Sequence, residues 1–214
     1  MKIPPFVGYL TWHKDGLVGE RGQFYSYLMA GNGLFVEAEG PLLAARVPVA
    51  YAPVRGLAPT APKLALRHGL IPGYLWDMAL DLLLANHHRE LYVAILWTTE
   101  TEDGRAAYTL SVPVQERGRA SVRYERHPDT ILDLHSHCGM PAFFSATDDK
   151  DEVGFQLYGV VGRLPNEPKV ALRVGVYGYW QEIAWDWVFS GVLTGASRDI
   201  DEGVFEDPHS WREG

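Results

Sequence analysis

Asp133 to Glu152 reads D-L-H-S-H-C-G-M-P-A-F-F-S-A-T-D-D-K-D-E, and the fold turns on how this stretch is interpreted. Thr130, Ile131 and Leu132 lead into it as a buried strand. Side chains alternate across a strand, so His135 and His137 face the same way. A turn-prone segment follows, Cys138 to Phe144 with Gly139 and Pro141, and then Ser145-Ala-Thr-Asp148. Ser-x-x-Asp is a capping box that starts a helix, and it returns a carboxylate toward the strand. Two imidazoles and one carboxylate leave a tetrahedral zinc with one open position, the pattern of a catalytic rather than a structural site. With 8 histidines in 214 residues, H-x-H arises by chance about 0.3 times. Requiring the serine and aspartate at their offsets lowers that to roughly 0.0007. The combination therefore reads as a metal site that is also a helix cap.

His-Ser-His, seven residues, Ser, two residues, Asp resembles the zinc signature of the JAMM (JAB, MPN-plus) metallopeptidases. The resemblance covers roughly residues 70 to 180. It implies an α/β domain with a curved, mostly antiparallel sheet flanked by helices, and a glutamate at the start of a strand that follows a long helix. Pro72 to His88 reads as the helix and Glu90 to Trp97 as the strand, so Glu90 is the expected general base, with Glu100 and Glu102 as fallbacks. The family likeness makes His135, His137 and Asp148 the zinc ligands and gives Ser145 the role of steadying an oxyanion. Many members carry proline where this chain has Cys138. On a continuing strand the thiol points away from the ligands, whereas a turn there would swing it onto the metal. The run A-F-F-S-A-T-D-D-K-D-E and the long amino-terminal part are similar to the A-protein family of the bacterial "ParB-related, ThiF-related cassette". That narrower likeness implies a peptide or ubiquitin-like protein as substrate and a ThiF-like adenylating protein as partner.

Composition narrows the class further. The chain is 47% hydrophobic and 21% charged with a net charge of −8, ordinary for a globular protein with a real core. The acidic balance argues against a nucleic-acid surface. One cysteine excludes an intrachain disulfide and suits the cytoplasm. Met1-Lys-Ile-Pro-Pro breaks too early for a signal peptide, and no apolar run reaches the length of a membrane span.

Three regions are expected: a β-rich accessory region over 1–62, the zinc domain over 63–196 and a polar tail over 197–214. Strands are expected within 6–51, including a hairpin of residues 24–30 and 34–38 across Gly31-Asn32-Gly33, and a strand over 43–51. Three prolines in A-P-V-R-G-L-A-P-T-A-P (52–62) read as an extended linker. In the helix, Leu75, Met78, Ala79, Leu82 and Leu83 form the expected core face. His87 and His88 end it as structural residues. Residues 107–114 and 120–125 read as a hairpin, His127 as solvent-facing, and 157–164 and 169–177 as strands. Asp149, Asp151 and Glu152 are read as carboxylates that complement a helix amino terminus. Trp180, Trp185, Trp187 and Phe189 read as aromatic core. Two functions stay open: a zinc peptidase or isopeptidase, and a non-catalytic binding module of the same fold.

Overall fold

A computed structural model describes residues 3–99, 105–117 and 122–198. In chain order the elements are β1 (Val7–His13), β2 (Gly16–Glu20), β3 (Tyr25–Ala30), β4 (Gly33–Glu39), β5 (Leu43–Tyr51), β6 (Lys63–Leu66), α1 (Gly73–Ala85), β7 (Tyr92–Thr98), β8 (Ala107–Ser111), β9 (Gln115–Arg117) and β10 (Val122–Tyr124). They continue with β11 (Thr130–Ser136), α2 (Ala146–Asp151), β12 (Phe155–Gly162), β13 (Lys169–Val176), β14 (Tyr179–Glu182) and β15 (Ser197–Arg198). One sheet runs β2-β1-β3-β4-β5-β6, a second runs β14-β13-β12-β11-β7-β8 with β15 beside β13, and β9 pairs with β10.

The amino-terminal strands follow the alternation of their sequence. Ser26, Leu28 and Ala30 of β3 are buried while the residues between them are not. The β3–β4 hairpin closes with Ala30 opposite Gly33, which sits at φ +154. A Cβ there would meet the Ala50 carbonyl at 2.3 Å, so β5 lies this close to the turn only because the residue is glycine. Residues 52–62 are not an extended linker: they turn at Arg55 and Gly56, where Gly56 has φ 86, and are tied down on both sides. The Asn32 side chain brackets Thr60 with hydrogen bonds of 2.7 and 2.9 Å, and Ala58 N–H donates to Trp12 O at 2.9 Å. The segment is strapped to β1 and to the β3–β4 turn. The first sheet then continues through β6, so it ends at Leu66, past the expected boundary at residue 62.

The second sheet is mixed. Strands β7 and β11 are antiparallel, β11 and β12 parallel, and β12, β13 and β14 antiparallel. Joining parallel neighbours requires a crossover, and residues 137–154, with α2 inside them, provide it. β11 is the middle of this sheet and every one of its residues is buried, which explains its near-continuous apolar start. Two expected features differ. The hairpin of 107–114 with 120–125 is replaced by β8 on β7 and β10 on β9. Pro113 lacks the N–H needed to continue β8, so that strand stops at Ser111. Only two α-helices occur among the described residues, of 13 and 6 residues, fewer than a helix-flanked sheet suggests. None is long and apolar enough to cross a membrane.

Helix α1 begins after Pro72 and buries Leu75, Trp76, Ala79, Leu80 and Leu83. Met78, assigned to that face from its spacing, is instead 49% exposed, because Trp76 and Leu80 turn the buried stripe away from it. Trp76 packs edge-on against Trp185, and Trp185 stacks on Phe189. Trp185 and Phe189 are thus core with Trp187 packed against it, whereas Trp180 lies half-buried against Arg173. Val36, Ala38, Leu43, Ala45 and Val47 of the first sheet join α1 and the second sheet in one buried cluster. The Tyr27 and Tyr179 hydroxyls add a 2.7 Å hydrogen bond between the sheets.

This shared core makes a specific prediction. A chain starting at Lys63 loses five buried apolar partners, each worth about 1–3 kcal/mol on burial, against a total stability of only about 5–15 kcal/mol. The expected outcome is aggregation or loss of a cooperative thermal transition. A soluble Lys63 chain with a sharp melt would show that the second sheet stands alone.

Candidate metal centre

The site grows from the pairing of β11. His135 lies opposite Tyr92 on β7 and beside Val160 on β12. Between the histidines, Ser136 is fully buried and points the other way. Its N–H donates to Leu91 O and its hydroxyl accepts from Leu91 N–H, both at 3.0 Å. This clamp holds the chain just before β7. Continuing the antiparallel register from His135 and Tyr92 sets His137 across from Glu90. Glu90 is therefore not the first residue of the strand, as expected, but lies two residues before it. It is 5% exposed. Burial raises its pKa, partly opposed by His135, while Asp148 adds to the rise.

After His137 the chain turns sharply. Cys138 adopts φ 50, and the loop is stapled to the end of β12: His137 N–H donates to Val161 O at 2.8 Å, Leu164 N–H to Cys138 O at 2.8 Å and Arg163 N–H to Met140 O at 2.6 Å. Gly162 makes room for it, since a Cβ there would lie 2.4 Å from the Met140 carbonyl. Ser145 then caps α2. Its Oγ accepts from Thr147 and Asp148 N–H at 3.3 and 3.2 Å, and its own N–H donates to Asp148 Oδ2 at 2.6 Å. The capping box forms as expected, and the same hydrogen-bonded turn fixes the helix start and holds Asp148 beside the two histidines.

Ligand atoms of His135, His137 and Asp148 all lie within 4.8 Å of one another. His135 Nε2 is 3.2 Å from His137 Nε2 and 3.3 Å from Asp148 Oδ1, and His137 Nε2 is 3.6 Å from Asp148 Oδ2. Zinc–ligand bonds of ~2.0–2.2 Å in tetrahedral geometry place neighbouring ligand atoms roughly 3.3 Å apart. The three residues thus have the donor types and the spacing for such an ion. Cys138 is not part of this group.

The three groups are electrostatically coupled. Burial opposes the charged form of His135, but its hydrogen bond to Asp148 and the charges of Asp148, Glu152 and Glu90 outweigh it and raise its pKa. His137 is lowered by burial and by His135. Burial also works against the Asp148 carboxylate, yet the hydrogen bond and charge of His135 and both contacts from Ser145 hold it well below the usual carboxylate range.

Sequence reasoning misplaced Glu152. The helix ends at Asp151 and Glu152 is its C-cap, 4% exposed, with its N–H on Asp148 O at 2.7 Å. Its carboxylate turns inward, with Oε1 3.8 Å from His135 Nδ1 and Oε2 accepting from Arg173 Nε and NH2 at 3.0 and 2.7 Å. Burial pushes it up to about 7 despite His135 and Arg173. Arg173 reaches Asp149 Oδ1 at 2.6 Å. An arginine 21 places further on, in an alternating strand, carried no local signal of this contact. Among the described residues no other histidine joins the group: His87 Nδ1 is 2.8 Å from Leu84 O at the end of α1, and His127 is exposed. Glu100 and Glu102 lie outside the described residues.

Residues 74–174 match the family model described as prokaryotic homologs of the JAB domain. This span runs from α1 into β13 and contains Glu90, His135, His137, Ser145 and Asp148, and it supports a JAB/MPN-type domain in this part of the chain. No curated protein matches the chain.

Two measurements follow. Metal analysis of purified protein should find about one divalent ion per chain. His137→Ala should lose it and Cys138→Ala should keep it. For the metal-free protein, a carboxylate whose folded pKa is depressed contributes stability that is present above its unfolded value, about 4, and lost as pH falls. The stability difference between wild type and Asp148→Asn in urea titrations should therefore be larger at about pH 6 than at about pH 3. A difference that stays constant with pH would contradict the Asp148 electrostatics.

Proposed function

We propose that this chain, through its JAB/MPN-type domain, is a zinc-dependent peptidase or isopeptidase. The observation that carries the reading is the convergence of His135, His137 and Asp148 within 4.8 Å, with buried Glu90 close enough to be coupled to His135 and Asp148. A ligated zinc would supply a Lewis acid that polarises a carbonyl and acidifies water. His135 and His137 would hold it through Nε2 and Asp148 through its carboxylate.

The remaining chemistry belongs to the protein. Glu90 takes a proton from the attacking water and returns it to the departing amine. A carboxylate raised by burial suits both halves of that transfer, because a general base works best with a pKa near the working pH. The Ser145 hydroxyl accepts two backbone N–H bonds and keeps its own proton as a donor for the oxygen that becomes negative in the transition state. The staples from β12 hold the 138–142 loop still, so the ligands are positioned before substrate arrives. A peptide or ubiquitin-like protein tail as substrate, and a ThiF-like adenylating protein as partner, are supported by the likeness to the cassette family.

Glu90→Gln is the decisive variant. It preserves size and hydrogen bonding but takes up no proton. Zinc content and thermal stability should stay at wild-type values, while cleavage of a ubiquitin-like protein carrying a carboxy-terminal extension falls by about 10²–10⁴. Unchanged turnover would reassign the base. Cleavage indifferent to Glu90 and His135 alike would favour the non-catalytic binding module.

A further inference from the structure

Two buried carboxylates near the histidines take no part in the reaction above. Asp133, 1% exposed, is engaged by the Tyr92 hydroxyl and by Arg126 Nε at 3.1 Å. Glu152 faces His135. We propose that Glu152 is a positioning residue. It stands on the Nδ1 side of His135 and accepts that proton once Nε2, which otherwise faces Asp148 at 3.3 Å, is given to a metal. The inference rests on the metal-site reading and names the group that prepares its first ligand.

The geometry leaves Glu152 little other purpose. Its Oε2 is taken by two hydrogen bonds from Arg173, and its Oε1 lies on the Nδ1 side of His135 at 3.8 Å. That gap exceeds a direct hydrogen bond, but the χ2 torsion of histidine is broad, and a modest ring rotation closes it. Arg173 is locked in turn. Its guanidinium lies 3.9 Å from the Phe144 ring centroid and 4.8 Å from that of Trp180, and it holds Asp149 as well. Trp180 Nε1–H donates to the Glu152 carbonyl at 2.8 Å. One arginine on β13 thereby fixes both the helix that carries Asp148 and the carboxylate beside His135. A carboxylate on the far nitrogen of a ligating histidine sets its tautomer and raises its basicity.

The test reads the ring directly. In zinc-loaded protein labelled with ¹⁵N-histidine, long-range ¹H–¹⁵N spectra should show His135 with a hydrogen-bonded Nδ1–H. In Glu152→Gln the amide turns its oxygen to Arg173 and its NH2 to His135. The Nδ1–H signal should then move upfield or be lost to exchange, and zinc affinity by chelator competition should fall about 10–100-fold. If Glu152→Gln fails to fold, Glu152→Asp replaces it, with a smaller loss expected. A folded Glu152 variant with wild-type zinc affinity, or with an unchanged His135 Nδ1–H signal, overturns the proposal. A wild type that binds no zinc sinks the metal-site reading on which the proposal rests.

Discussion

The double hydrogen bond between Ser136 and Leu91 is the constraint on which the site depends. Ser136 sits between two histidines that face the other way, so its contacts fix the plane of β11 at the point where both imidazoles project. The same contacts hold the segment preceding β7 against β11 and keep Glu90 across from His137. A strand at the middle of a sheet has no freedom to slip, because a shift of one residue would turn every side chain to the wrong face. The ligand pair is placed by the sheet, and the sheet is placed by its core.

The second constraint is electrostatic. His135, Glu152 and Arg173 are all less than a tenth exposed, and Asp148 stands beside them. Burying charge is costly unless each group is paired and hydrogen-bonded. Arg173 meets two carboxylates, and Asp148 meets both histidines and the Ser145 cap. The arrangement raises one imidazole, through the carboxylates around it, and lowers the other, through burial and its charged neighbour. A metal there would displace protons and offset the desolvation that the folded protein otherwise carries.

The amino-terminal sheet takes part in this indirectly. It contributes no ligand candidate, yet β4 and β5 supply apolar residues to the core that backs the second sheet. Residues 52–62, rich in proline, are bound back onto β1 and the β3–β4 turn. Proline content suggested a free extended linker, but the turn at Arg55 and Gly56 and the hydrogen bonds from Asn32 and to Trp12 fold the segment back.

Sequence alone determined what depends on local spacing. Alternation placed His135 and His137 on one face, the Ser-x-x-Asp box started a helix that carries Asp148, and the strands at 25–30, 33–39, 43–51 and 130–136 followed from period-two patterns and turn residues. Tertiary structure decided what depends on residues distant in the chain. Strand order brought Glu90, buried just ahead of β7, into reach of the charges of His135 and Asp148. The ring contacts of Trp76 with Trp185 turned Met78 outward, and Arg173 drew Glu152 out of an acidic run into the site. The physical reason is that backbone periodicity sets which way a side chain points, whereas pairing and burial set what it meets.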